Sequence, residues 1–304
     1  MSKITFVDDN LILSDCYVNR NYDKLKEMVL KKQFDITDSI TDDGEIFGFH
    51  VTKNEPLTAI YAMDCYVVKF VFSSISQLHD DKQERILEQL LVKLGDYIDT
   101  HKGYYNLRIP THIVDLLKTV NKSFDNVIFC GGTVEECIHG KHVNECNENN
   151  LSIEFADIDS IERYKKELMN MTLESFKSYQ GQYHISNVTQ GKAGIIYERW
   201  IQSSMDSLGE EHVVIAYKDD IPVGFVTTKE TSQAVEGVLS AVSPAHRKLG
   251  AYKAMIAFLI NYANENDKSF VTSTQFDNYI VQGVWNSLGL KPFYSIYNMH
   301  IDNR

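Results

Sequence analysis

The run GVLSAVSPAHRKLGAYKAMIAFLI, residues 237–260, constrains this chain more than any other. An apolar strand has to stop at Pro244, which brings no N–H to a ladder. A short turn follows, and over 250–264 the residues Ala251, Met255, Phe258, Leu259 and Tyr262 recur at helical spacing. A strand that feeds a long amphipathic helix through a tight turn belongs to an α/β architecture. The first N–H groups of a helix lack intrahelical partners, and the helix dipole puts partial positive charge there. With Arg247 and Lys248 beside it, such a turn suits a pyrophosphate, and Gly250 lets the backbone approach the anion closely.

The flanking residues extend this pattern. HVVIAYKDD and IPVGFVTTKE read as two strands of a hairpin around Asp219-Asp220. Segment 270–274 reads as a strand, 279–288 as a helix and 294–301 as a last strand. Upstream, 152–155 is a short strand, and 159–178 and 197–204 are helices. The first half gives a fainter version of the same order, with strands at 67–73, 104–109 and 127–130 and helices at 82–100 and 113–120. A strand–helix–strand–helix–strand order in both halves suggests an internal repeat. The polar stretch Gly140 to Asn150 (GKHVNECNENN) divides them. The expected architecture is two mixed-sheet α/β domains, 1–150 and 151–304.

At 304 residues with 43% hydrophobic and 24% charged side chains, the chain is long enough for two cores. The net charge is −12. Residues 1–155 hold 16 Lys and Arg against 25 Asp and Glu, a net of −9, which leaves −3 for the remainder. That balance excludes a nucleic-acid partner, and an anionic ligand must be held by local groups in the less acidic second half. Five cysteines at irregular spacing, no hydrophobic leader and no apolar run approaching 18 residues point to a cytoplasmic protein with reduced thiols and no membrane insertion. Cys137, His139, His142 and Cys146 offer four possible metal ligands in ten residues, but their spacing fits no common zinc module, so no metal is expected. Neither a Gly-x-Gly-x-x-Gly fingerprint after a strand, nor a P-loop, nor a Gly-x-Ser-x-Gly elbow occurs.

Pro244-x-x-Arg247-x-x-Gly250-x-Tyr252 resembles the acetyl-CoA signature of the GNAT acetyltransferase superfamily, although Tyr252 stands where a small residue is usual. Thr274-Gln275-Phe276-Asp277-Asn278 at a strand end, and Trp285 to Leu290 with its Leu-Gly ending, resemble the family's next two blocks in order. Within the superfamily the chain is most similar to nucleotide-amino-sugar N-acetyltransferases of the dTDP-fucosamine type. That similarity is carried by Thr274-Gln275-x-x-Asn278, Ser295-x-Tyr297-x-x-His300, Gln182-Tyr183-His184 with Tyr197-x-x-Trp200, and Ile46-Phe47-Gly48.

The resemblance implies a GNAT fold in residues 151–304 and a partial copy without the co-substrate turn in residues 1–150. There, Ile75-Ser-Gln-Leu-His79-Asp-Asp follows a strand with no glycine and two acids. It implies acetyl-CoA as co-substrate and direct transfer to a small-molecule amine acceptor, an amino sugar before an amino acid, peptide or polyamine. A CoA-binding protein without turnover stays open, as does assembly into a homodimer. The co-substrate would be held by Ser240, Ala241, Val242, Arg247, Lys248, Leu249, Gly250, Ala251, Tyr252, Thr274, Asn278 and Trp285, with the strand backbone polarising the thioester carbonyl. Tyr183, His184 and His300 are the candidate acceptor contacts. Many family members carry a tyrosine acid seven residues after the motif Asn, and here that position is Trp285, whose indole N–H cannot act as an acid. Tyr279 and Tyr297 are the substitutes to consider, and Glu236 is the candidate base. Read on residue type alone, Trp285 between Val284 and Leu288 is core, and His184 in GQYHISN is a solvated loop histidine.

Overall fold

A computed structural model describes residues 36–72, 81–144, 149–177, 179, 181–185, 189, 191–208 and 211–304. The segment 75–80 of the glycine-free turn, and Cys146, lie outside the described residues. The chain divides into two compact units, one built from residues up to Thr133 together with Tyr294–Arg304, the other from Val134–Phe293. The polar stretch around residue 150 thus falls inside the second unit.

In the first unit, strands β1 (Asp38–Asp42) and β2 (Glu45–Lys53) form a hairpin whose turn residues Asp43 and Gly44 have φ of 48° and 79°. Left-handed residues at both positions match the right-handed twist of paired strands. Asn54 then caps α1 (Glu55–Tyr61), accepting the Leu57 N–H at 3.0 Å. Strand β3 (Cys65–Phe72), helix α2 (Asp81–Thr100), strand β4 (Gly103–Pro110), helix α3 (Val114–Ser123) and strand β5 (Val127–Ile138) as far as Thr133 follow, and β11 (Lys291–Asn303) from Tyr294 onward completes the unit. The sheet order is β1-β2-β3-β4-β11. β3 and β4 run parallel, while β11 lies antiparallel to β4 with Met299 opposite Leu107. Phe47, Phe49, Phe70, Leu87, Leu90, Leu107 and Met299 form its core.

In the second unit, β6 (Leu151–Phe155), β7 (Glu211–Lys218), β8 (Ile221–Glu230), β9 (Ala234–Val242) and β10 (Ser269–Gln275) form a sheet ordered β10-β9-β8-β7-β6. Helices α4 (Ile158–Phe176), α5 (Gln182–Ile185) and α6 (Ala193–Asp206) precede β7; α7 (Ala251–Glu265) joins β9 to β10, and α8 (Tyr279–Leu288) follows β10. Alternation along the strands sends residues to two cores. Val213, Ile215 and Phe225 pack with α4 and α6 through Leu168, Met171 and Ile201. Val214, Ala216 and Val226 pack with α7 and α8 through Met255, Leu259, Trp285 and Leu288. Both the β3–α2–β4–α3–β5 and the β9–α7–β10–α8–β11 stretches show the expected element order, each around a parallel strand pair.

Three sequence expectations change. The hairpin β1–β2 and helix α1 were not expected as elements. β5 continues from the expected 127–130 through two glycines to Ile138. His184 is not in a polar loop but in the single-turn helix α5.

Candidate functional site

The parallel ladder between β9 and β10 runs from Ala234 opposite Ser269 to Gly237 opposite Thr272 and no further, although β9 continues to Val242 and β10 to Gln275. The last rung is tied by the Thr272 hydroxyl, which donates to the Gly237 carbonyl at 3.1 Å. On the other edge of β9 the register to β8 slips at the same level, pairing Thr228 with Gly237 and Thr227 with Leu239, so Val238 is bulged. There the Leu239 N–H donates to the Thr227 hydroxyl at 3.2 Å. A bulge bends its strand, and beyond it β9 and β10 separate.

Which backbone groups face the opening follows from the ladder. Ser243 N–H donates to Val223 O at 2.9 Å. By the two-residue alternation Ala241 also faces β8, while N–H and C=O of Ser240 and Val242 face away from it, into the opening. The Ser175 hydroxyl reaches Val242 O only at 3.5 Å.

At the end of β9 the 3₁₀ turn Pro244–His246 leads into Arg247, Lys248 and Leu249. Lys248 (φ 67°) and Gly250 (φ 80°) are both left-handed. A residue with a Cβ is strained at such a φ, which glycine accepts freely. A Cβ built on Gly250 would meet nothing within 4 Å, so the turn opens on unfilled space. Gly250 is the N-cap of α7 and offers no side chain to its first N–H groups. Arg247 and Lys248 are exposed, and among the described residues neither forms an ion pair. The residues present therefore fit a diphosphate: oriented N–H donors at a helix start, two cations and room.

On the far side, Asn278 starts α8 without capping it; its Nδ2 donates instead to Thr274 Oγ1 at 2.9 Å. Gln282 Nε2 holds the intervening turn through Gln275 O at 3.2 Å and Phe276 O at 2.9 Å. Tyr179, which sequence reasoning passed over, reaches Thr274 and Gln275 with its hydroxyl, and burial pushes its pKa up to about 12. Its ring stands edge-on to Phe176, Tyr197 and His184. His184 in turn stacks near Tyr197, its Nδ1 is buried without a partner among the described residues, and burial lowers its pKa. Tyr183 lies edge-on to Tyr197 as well. An aromatic patch thus adjoins the end of β10.

Trp285 is 1% exposed, packed in the α7–α8 core. Its Nε1–H donates to the Tyr252 hydroxyl at 2.8 Å, and Ser240 is a second hydrogen-bond partner of that hydroxyl. Burial raises the Tyr252 pKa well above the phenol range, and the charge of Glu136 adds to this. Glu136 lies on β5 two residues before Ile138, which packs in the same core, so both point to the Trp285 side. It is 1% exposed, its Oε2 has no partner among the described residues, and burial raises its pKa. Nothing in the sequence marked it, because the strand was expected to end at Cys130.

Four further candidates sit on β9, α8 and β11. Glu236 precedes the bulge on β9, opposite Val271. Tyr279 opens α8 and is 75% exposed. Tyr297 and His300 belong to β11 in the first unit. Tyr297 packs on Phe129 with ring centroids 5.8 Å apart. His300 is 1% exposed and hydrogen-bonds the Tyr104 hydroxyl through Nδ1, with a pKa lowered by burial to about 3. Cys137, His139 and His142 form no cluster able to hold a metal among the described residues.

Comparison with known proteins agrees with this geometry. The profile of the Acetyltransferase (GNAT) family matches residues 170–290. No curated protein matches the chain. Among solved structures, a GCN5-related N-acetyltransferase from Sphaerobacter thermophilus superimposes with a TM-score of 0.58 at 12% identity, covering 86% of this chain and 78% of that one. A conserved protein of unknown function from Staphylococcus epidermidis does so with a TM-score of 0.53 at 15% identity, over 90% of this chain and 97% of that one. A GCN5-related N-acetyltransferase from Kribbella flavida gives 0.50 at 8% identity, over 91% and 94%. At these identities the structures speak for the fold alone. The split strands, the left-handed turn and the profile match coincide within residues 170–290, so the protein carries an acetyltransferase domain of the GNAT family and is by class an acyltransferase.

Proposed function

We propose that the protein is an acetyl-CoA-dependent N-acetyltransferase acting on the primary amine of an amino sugar, nucleotide-linked. The observation that carries the reading is the end of the β9–β10 ladder at Gly237 and Thr272, directly before the left-handed turn at Lys248–Gly250. Bound there, acetyl-CoA would supply the activated acetyl group. Arg247, Lys248 and the α7 N-terminus would hold its diphosphate. The backbone groups of Ser240 and Val242 would bind the pantetheine arm as a ladder partner does and orient the thioester. Holding both reactants in one cleft replaces a bimolecular encounter by an oriented one.

The amino-sugar acceptor is supported by the patch of Tyr179, Tyr183 and His184 packed on the buried Tyr197, since flat aromatic faces cover the apolar face of a pyranose, and by the Thr274–Asn278 hydroxyl and amide beside it. The first unit, which lacks an Arg-x-x-Gly turn among its described residues, is read as taking no part in holding the co-substrate. A second reading, co-substrate binding without turnover, is favoured by Trp285 at the position of the family's tyrosine acid.

The test is calorimetric binding of acetyl-CoA followed by thiol release with a panel of amines. Micromolar binding and release with aminosugar nucleotides are expected. Release with polyamines or peptides alone would exclude the sugar; binding without release above hydrolysis would favour the second reading.

A further inference from the structure

The hydroxyl of Tyr252 is buried between β9 and α8. It sits against Ser240, the residue whose own backbone faces the opening between β9 and β10, and it is fixed from α8 by the Trp285 indole at 2.8 Å. An indole N–H only donates. The Tyr252 oxygen is therefore the acceptor in that bond, and its own proton remains to be given elsewhere. Ser240 can give or take, so it leaves that freedom intact. The two departures noted in the sequence, a large residue at 252 and an indole at 285, are thus one arrangement: α7 supplies the phenol and α8 supplies the donor that orients it.

We propose that Tyr252 relays a proton during acetyl transfer and that Trp285 is its positioning residue; this rests on the acetyl-transfer reading above. As the neutral amine attacks, its lone pair forms the C–N bond and the C–S bonding pair leaves with sulfur. Sulfur takes the Tyr252 proton while the phenol oxygen takes the proton that nitrogen sheds in becoming an amide. The products are the amide and free thiol, and Tyr252 is neutral before and after. That route suits a phenol whose pKa is raised by burial and by the Glu136 charge, because no standing phenolate is formed.

Tyr252→Phe keeps the ring and removes the relay. The expected result is acetyl-CoA affinity within about threefold of wild type and thiol release slowed by about 10² or more, the usual span for proton-transfer groups. Trp285→Phe should lower kcat about tenfold at unchanged KM, and adding it to Tyr252→Phe should cost nothing further. A readout independent of activity is the ¹⁵N indole spectrum, simple because the chain has only two Trp. The Trp285 Nε1–H resonance should move in Tyr252→Phe. Wild-type turnover in Tyr252→Phe, loss of acetyl-CoA binding in it, or an unmoved Trp285 resonance would each overturn the relay. Wild-type protein that binds no acetyl-CoA would overturn the function itself.

Discussion

His300 shows how much a single buried base can dictate. Enclosed in the first unit with Tyr104 on its Nδ1, it stays neutral in the folded chain down to a pH of about 3. In the unfolded chain it titrates near its ordinary value of 6.5. Below that pH the unfolded state takes up a proton that the folded state refuses, so stability is lost as pH falls from about 6.5 towards 3 and is untouched above. The loss by pH 5 is on the order of 2 kcal/mol. His300→Gln should flatten the melting temperature between about pH 6.5 and 5 whatever it does to the value at pH 8. Asp38, whose pKa is lowered beside Lys93, loses its contribution only as pH falls from its ordinary 3.8, below the tested window. His112 and His184, whose pKa values burial also lowers, add to the slope in the same direction. An unchanged slope in His300→Gln would show that another group sets it.

At the scale of elements, the turn before α7 is where sequence and structure meet most directly. Gly250→Glu should leave helical circular dichroism intact, since holding a side chain at φ 80° costs about 1–2 kcal/mol. Its side chain and charge would occupy the unfilled space beside Gly250, and acetyl-CoA affinity should drop by about 10² or more by calorimetry. An unchanged affinity would mean that the turn holds no diphosphate. This element was legible because Pro244, Gly250 and the α7 stripe each have a local cause, and α8 was legible for the same reason, ending at Gly289 with φ of 90°. The split itself was legible only through the family resemblance, because a bulge at Val238 leaves no composition mark and depends on how β8 and β10 pair on either side. Not legible at all was the Tyr252–Trp285 bond, which joins two helices 33 positions apart in sequence. Glu136 was hidden by Gly131 and Gly132, which read as the end of a strand that in fact runs on to Ile138.

Across the whole molecule, charge and function pull in opposite directions. On the proposed reading, a chain of net charge −12 repels an anionic co-substrate at long range, while Arg247, Lys248 and the α7 start attract it locally. Near contacts are screened less than the distant field. Raising salt from about 0.05 to about 0.5 M should therefore weaken acetyl-CoA binding by no more than roughly tenfold, and should leave binding of a pantetheine thioester without the nucleotide unchanged. Equal salt sensitivity of the two would place the diphosphate elsewhere. The last strand has a different kind of consequence. β11 lies along β4, Asn303 opposite Gly103, so a neighbour of β4 is supplied by residues that follow Thr133, the end of the unit's first stretch, by some 160 positions. During synthesis β4 lacks that neighbour until Asn303 has left the ribosome. Cutting the chain after residue 290 would spare every residue of the matched domain and still deprive the other unit of a strand.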